Sequence, residues 1–177
     1  LGFYDLKTRA LTPVIQSDWS IEAATVTKDG KWLVWSVNED GYSRIHVMNR
    51  ETNEEKELTG LPGGTLPPFG GGFDLSPDST RLVVKMVTPT QPNELYLVEL
   101  ETGETRKLTD SRKVPIDELL LIEPQQVEIE AFDGLTIPAL LFKPHGEGPF
   151  PAVLSIHGGP EAQERPGYTY RGFYQFL

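Results

Sequence analysis

Short apolar runs separated by turn residues fill the first hundred positions, and they recur. "VTKDGKWLVWSV" (Val26 to Val37) aligns with "LSPDSTRLVVKM" (Leu75 to Met86) at an offset of 49. "MNRETNEEKELT" (Met48 to Thr59) aligns with "VELETGETRKLT" (Val98 to Thr109) at an offset of 50. A shortened copy of the same ending, "YDLKTRALT", opens the chain at Tyr4 to Thr12. A period of about 50 residues points to a propeller or a solenoid.

Each full copy predicts four strands. The first has Ile21–Val26, Trp32–Val37, Arg44–Asn49 and Glu55–Leu58, with "KDGK" as a tight turn and Asn38 to Tyr42 as a hairpin loop. The second has Gly72–Leu75, Arg81–Val87, Glu94–Leu100 and Thr105–Leu108. Four strands joined as an antiparallel meander make a propeller blade. In "WLVW", Trp32 and Val34 point to one face while Leu33 and Trp35 point to the other. A sheet with one wet face would alternate apolar with polar residues, whereas a blade held between two neighbours is apolar on both. Trp19, Trp32 and Trp35 are accordingly expected in blade cores. Two and a fraction blades cannot close a ring and leave faces and edges open, so further blades are expected before Leu1.

After Thr109 the pattern changes. "DSRKVPIDELLLIEPQQ" reads as a linker with a short helical turn near Asp117 to Leu121. "VEIEAFDG" and "LTIPALLFKP" read as two strands about the turn Asp133-Gly134. "PAVLSI" (Pro151–Ile156) reads as a strand buried on both faces. Aromatic residues at Tyr170, Phe173 and Tyr174, with Leu177, predict a helix starting near Tyr168. The expected organisation is a partial propeller over residues 1–109, a linker over 110–126, and the start of a second domain over 127–177.

Composition narrows the partners. The chain has 16 Lys plus Arg against 26 Asp plus Glu, a formal charge of −10, which argues against a nucleic-acid backbone as ligand. Its apolar runs fall far short of the roughly 20 residues that span a bilayer, so no membrane partner is expected. With 38% hydrophobic and 24% charged residues it has the balance of a globular protein. Zero Cys removes disulfides, thiolate metal sites and a Cys nucleophile, and fits a cytoplasmic location. Export stays open because the first residue is Leu1 and not Met. No His, Asp and Glu spacing suggests a metal site, and no cofactor is expected.

The order of repeats, hairpin and glycine turn resembles one family. The two blades, "FDGLTIPALLFKP" and "PAVLSIHGGPEAQERPGY" together are similar to the prolyl oligopeptidase family of serine peptidases, near its acylaminoacyl-peptidase and dipeptidyl-peptidase-like bacterial branch. The resemblance implies blades followed by an α/β-hydrolase domain and short peptides as substrates. It leaves a homo-oligomeric parent open. In α/β-hydrolases one oxyanion donor comes from the loop after the third strand. The resemblance places His157, Gly158, Gly159 and Pro160 in that loop, with the Gly159 N–H as the donor. His157 stands where some relatives carry a donor Tyr. Out of context the two glycines would read only as a tight exit from a strand.

The rest of the catalytic set is missing from the chain. No Gly-x-Ser-x-Gly occurs, and Ser17, Ser20, Ser36, Ser43, Ser76, Ser79, Ser111 and Ser155 lack that context. By resemblance the Ser, Asp and His lie beyond Leu177, so the chain alone is expected to be inert. Asn53 to Glu55 reads as a solvated turn, His46 and His145 carry no assigned role, and the Pro/Gly-rich stretch Thr59 to Gly72 reads as a connector. Two alternatives keep some of these features: an esterase or lipase on the same fold, and a non-catalytic propeller binding module. In a meander the loops Asn38–Tyr42, Thr59–Gly72 and Thr88–Asn93 share one end of the blades, and the second domain is expected over that end.

Overall fold

The computed structural model describes residues 1–67, 72–112, 120–168 and 173–176. Strands β1 (Gly2–Tyr4) and β2 (Leu11–Pro13) form a short hairpin. β3 (Ser20–Val26), β4 (Trp32–Glu39), β5 (Tyr42–Asn49) and β6 (Glu54–Glu57) form one antiparallel meander. β7 (Phe73–Leu75), β8 (Arg81–Met86), β9 (Glu94–Glu99) and β10 (Thr105–Lys107) form a second, with the same order. A separate hairpin, β11 (Gln125–Glu130) and β12 (Thr136–Leu141), follows, and a four-residue helix α1 spans Phe173–Phe176. Two four-stranded meanders at the predicted positions establish the propeller-blade architecture. No helix among the described residues is long and apolar enough to cross a membrane.

The blades stack because the inner strands have two apolar faces. Trp32, Val34, Ile45 and Val47 of the first blade pack against Leu82, Val84, Met86, Tyr96 and Val98 of the second, all buried. The opposite face of the first blade, with Leu33, Trp35, Val37 and Met48, is covered by Ile15 and Val14 from the chain that enters it. Burying a side chain of this size contributes about 1.5–3 kcal/mol, so these two layers dominate the fold. His46 lies flat on Trp35, ring centroids 5.3 Å apart, with Nδ1 3.5 Å from Glu55. Trp19 departs from expectation: it is 43% exposed, because it precedes β3 and reaches neither layer.

The turn between the first two strands of each blade is built the same way. In the first, the Thr27 hydroxyl donates to Asp29 Oδ1 at 2.6 Å and accepts from the Trp32 N–H at 2.9 Å. In the second, the Ser76 hydroxyl donates to Asp78 Oδ1 at 2.6 Å and accepts from the Arg81 N–H at 2.9 Å. The Thr27 hydroxyl, followed by the Lys31 N–H, holds the Asp29 carboxyl below its usual range, and the hydroxyls of Ser76 and Thr80 do the same more strongly for Asp78. The Asp29 N–H reaches Ser79 Oγ at 3.4 Å, so both turns meet at one end of the blades.

The other end carries the remaining loops. Asp40 and Gly41 alone close the β4–β5 hairpin, with Glu39 opposite Tyr42 and φ of +48° and +88° at the two turn residues. Positive φ at both positions is what a two-residue hairpin requires, and Gly supplies it without a Cβ penalty. The described first part of the connector, residues 59–67, is held to both blades. Thr65 exchanges two backbone hydrogen bonds with Val87, and Leu66 is buried with its N–H on Ser43 Oγ at 2.9 Å. Where the chain leaves the second blade it meets Glu94, the first residue of β9, whose carboxylate is almost fully buried. It accepts from the Thr109 hydroxyl at 2.5 Å and the Ser111 N–H at 2.7 Å, with Lys107 Nζ at 3.8 Å.

One expected element differs. Pro151–Ile156 forms no strand, and Val153, Leu154 and Ile156 are 67%, 78% and 80% exposed. A strand buried on both faces needs a partner on each side, and the described residues offer it none. The described helical residues are Phe173–Phe176, and the expected start near Tyr168 falls mainly on residues outside those described. The expected turn near Asp117 falls mainly on residues outside those described.

Two measurements follow from these contacts. The depressed Asp29 and Asp78 carboxyls stabilise the fold above the unfolded-state value of about 3.9, and that contribution is lost as pH falls through their folded values. The double variant Asp29→Asn/Asp78→Asn should melt below wild type at pH 6, with the gap narrowing steadily toward pH 2 in thermal unfolding. Glu94→Ala takes the acceptor from the half-buried Thr109 hydroxyl and the Ser111 N–H and leaves a space at a buried site, and should cost about 1–3 kcal/mol in urea unfolding.

Candidate functional site

The candidate turn is His157-Gly158-Gly159-Pro160. Gly159 has φ +68°, the left-handed region that favours glycine, and a Cβ built there would lie 3.8 Å from the Ala162 Cβ. A Cβ built on Gly158 would meet nothing within 4 Å. The turn is thus left-handed at one glycine and open to solvent at the other. His157 is exposed, and its Nδ1 lies 3.3 Å from the Gly158 carbonyl oxygen, a contact within the turn.

Behind the turn the chain is fixed to the first blade. Asn38 Nδ2 donates to Gln163 Oε1 at 2.7 Å. Arg165 Nε donates to the Gly41 carbonyl at 2.8 Å, its Nη2 donates to Ser43 Oγ at 3.1 Å, and its Nη1 pairs with Glu22. Pro166 is fully buried. A Cβ on Gly41 would touch Pro166 at 3.4 Å, and one on Gly167 would lie 3.8 Å from Thr65 Oγ1. Ser43 is satisfied on every side: its hydroxyl donates to Glu22 Oε2 at 2.7 Å and accepts from Leu66 N and Arg165.

The segments on either side dock on the same end of the blades. Gln126 Nε2 donates to the Asp40 carbonyl at 3.0 Å, and the Thr90 hydroxyl donates to Glu123 Oε1 at 2.7 Å. On α1, Gln175 accepts from the Ile122 N–H at 2.7 Å and donates to the Ile122 and Pro89 carbonyls at 2.9 and 3.3 Å. Tyr174 stacks on Phe142 with ring centroids 5.3 Å apart. Among the described residues, Asn38 and Gly41, Thr65 and Pro89, one or more from each of the expected loops Asn38–Tyr42, Thr59–Gly72 and Thr88–Asn93, meet the chain that follows Gly159, and no contact from "KDGK" or "SPDS" does. Sequence reasoning missed Arg165, Glu22, Ser43 and Gln163. The one available signal was an Arg-Pro pair shortly after the glycine turn, and its partner Glu22 is 143 residues away.

No protein-family profile matches the chain. It is 32% identical over 108 residues to an uncharacterized peptidase, YuxL, of Bacillus subtilis, covering 59% of this chain and 16% of that protein. It is 25% identical over 179 residues to dipeptidyl-peptidase 5 of Aspergillus fumigatus, covering 97% of this chain and 24% of that protein. Among solved structures, a puromycin hydrolase superposes over 93% of this chain and 26% of its own, with TM-score 0.71 and 19% identity. A prolyl endopeptidase superposes over 70% of this chain and 17% of its own, with TM-score 0.54 and 18% identity. The fold is that of the prolyl oligopeptidase family. The family resemblance read from the sequence stands. This chain spans about a quarter or less of the relatives it matches. Within the prolyl oligopeptidase fold, it supplies blades and the segment pinned to their loop-bearing end.

The two glycines separate in a stability assay. Gly159→Ala should cost about 1–2 kcal/mol, the penalty of a left-handed Cβ, whereas Gly158→Ala should change stability by less than about 0.5 kcal/mol. Urea unfolding of the two variants checks both.

Proposed function

We propose that this chain is the end of a propeller (residues 1–109), a linker (110–126) and the start of an α/β-hydrolase domain (127–177) of a serine peptidase. The parent cleaves short peptides through an acyl-enzyme. Acyl transfer passes through a tetrahedral intermediate carrying a negative oxygen, and each backbone N–H aimed at that oxygen contributes about 3 kcal/mol. In this reading the Gly159 N–H is such a donor, Gly158 leaves room for the substrate, and His157 shapes the turn. Nucleophile, acid and base come from sequence outside this chain.

The observation that carries the reading is the turn itself: left-handed at Gly159, open at Gly158, and followed at once by a segment tied to the blades. Peptidases among the relatives favour a peptide over an ester substrate. Propeller loops beside such a turn would restrict access to short, unfolded chains.

Proline at position 159 cannot adopt φ +68°, so it would test distortion and not the donor. Gly158→Ala is the cleaner probe, because the space it fills is empty. In the full-length protein containing this chain, the Cβ would occupy the room left for the substrate, and kcat/KM on a dipeptidyl or acylaminoacyl anilide should fall roughly 100-fold, the scale of a small misplacement of the reacting groups, with unchanged melting temperature. Activity equal to wild type sinks the assignment. The purified 177-residue chain should show no turnover on the same substrates.

A further inference from the structure

We infer that Arg165 is a positioning residue that fixes the Gly158-Gly159 turn to the first blade through Glu22, Ser43 and the Gly41 carbonyl; its catalytic consequence rests on the oxyanion reading above. Three observations carry the inference. First, every guanidinium nitrogen is engaged: Nε on Gly41 O at 2.8 Å, Nη2 on Ser43 Oγ at 3.1 Å and Nη1 on Glu22. With its three nitrogens on blade atoms it is a bracket and not a receptor for a substrate carboxylate. Second, the bracket is rigid at its base. Ser43 is buried in β5, and its hydroxyl couples Glu22 of β3 to Leu66 of the connector, so the atoms that hold Arg165 are tied to one another. Third, the turn has little other support. Gly158 and His157 have open space around them, while Gln163 and Pro166 are held on either side of Arg165. Only five residues lie between Gly159 and Arg165, short enough for the anchor to restrict where the Gly159 N–H points.

The planar fork matters more than the charge. A Lys offers a point charge on a flexible stem and cannot serve three acceptors in fixed directions. Glu22 acts at the other end of the bracket, so removing either partner should free the same segment.

The chain has no Cys, so Ala162→Cys, an exposed site next to the turn, accepts a single nitroxide label. In the labelled 177-residue chain the spectrum should contain an immobilised component. Arg165→Ala and the near-isosteric Glu22→Gln should each replace it with a fast component, Arg165→Lys should recover it only in part, and the double variant should add nothing to either single. Unchanged near-ultraviolet circular dichroism from Trp32 and Trp35 checks that the blades stay folded. An unchanged line shape in both single variants overturns the anchor. In the full-length protein Glu22→Gln should then lower kcat about ten- to a hundredfold, the range for a small misplacement, with KM much less affected. A mobilised label with wild-type kcat would uphold the anchor and overturn its catalytic consequence, locating the failure in the oxyanion reading.

Discussion

The whole arrangement depends on one seam, the face shared by the two blades. Trp32, Val34, Ile45 and Val47 on one side and Leu82, Val84, Met86, Tyr96 and Val98 on the other are each supplied by alternate positions of central strands. A one-residue slip in either sheet would turn these side chains outward. The seam therefore fixes strand register. Register in turn decides which residues stand at the loop-bearing end, and so decides that Glu22, Asn38 and Ser43 stand where the later chain arrives.

Polar groups at the two ends of the blades do different work. At one end, a hydroxyl and a carboxylate close each first turn in the same way, Thr27 with Asp29 and Ser76 with Asp78. These contacts are local and serve the blade that contains them. At the other end the contacts are long-range. Glu94 gathers Lys107, Thr109 and Ser111 as the chain leaves the second blade, and Arg165 returns to the first. The division follows from the meander, which places the β3–β4 and β7–β8 turns at one end and the β4–β5 hairpin with the connectors at the other.

Much of this was legible in the residues. The repeat offset and the doubly apolar "WLVW" located both meanders to within a residue or two at most strand ends, because strand period and turn chemistry are local signals. Trp19 was misplaced because hydrophobicity alone cannot tell a residue inside a strand from one just before it. Pro151–Ile156 has the composition of a buried strand, but pairing is a property of neighbours and not of composition. The candidate turn was visible as two glycines. Its anchor was not, because Glu22 and Arg165 carry no periodic or motif signal and meet only after the blades have formed. Glu94 was assigned to its strand while its burial went unseen, since an acidic residue at a strand start normally faces water.

The two-residue hairpin at Asp40 and Gly41 holds a further implication. Its two carbonyls are claimed by separate downstream segments, Asp40 by Gln126 and Gly41 by Arg165. Hairpin tips at a protein surface usually tolerate added residues during evolution. Here one extra residue would shift both acceptors together and unhook two segments more than eighty positions away in sequence. The shortest loop in the first blade is thus a gauge of distance, and natural variation in its length should be accompanied by change at both of its partners.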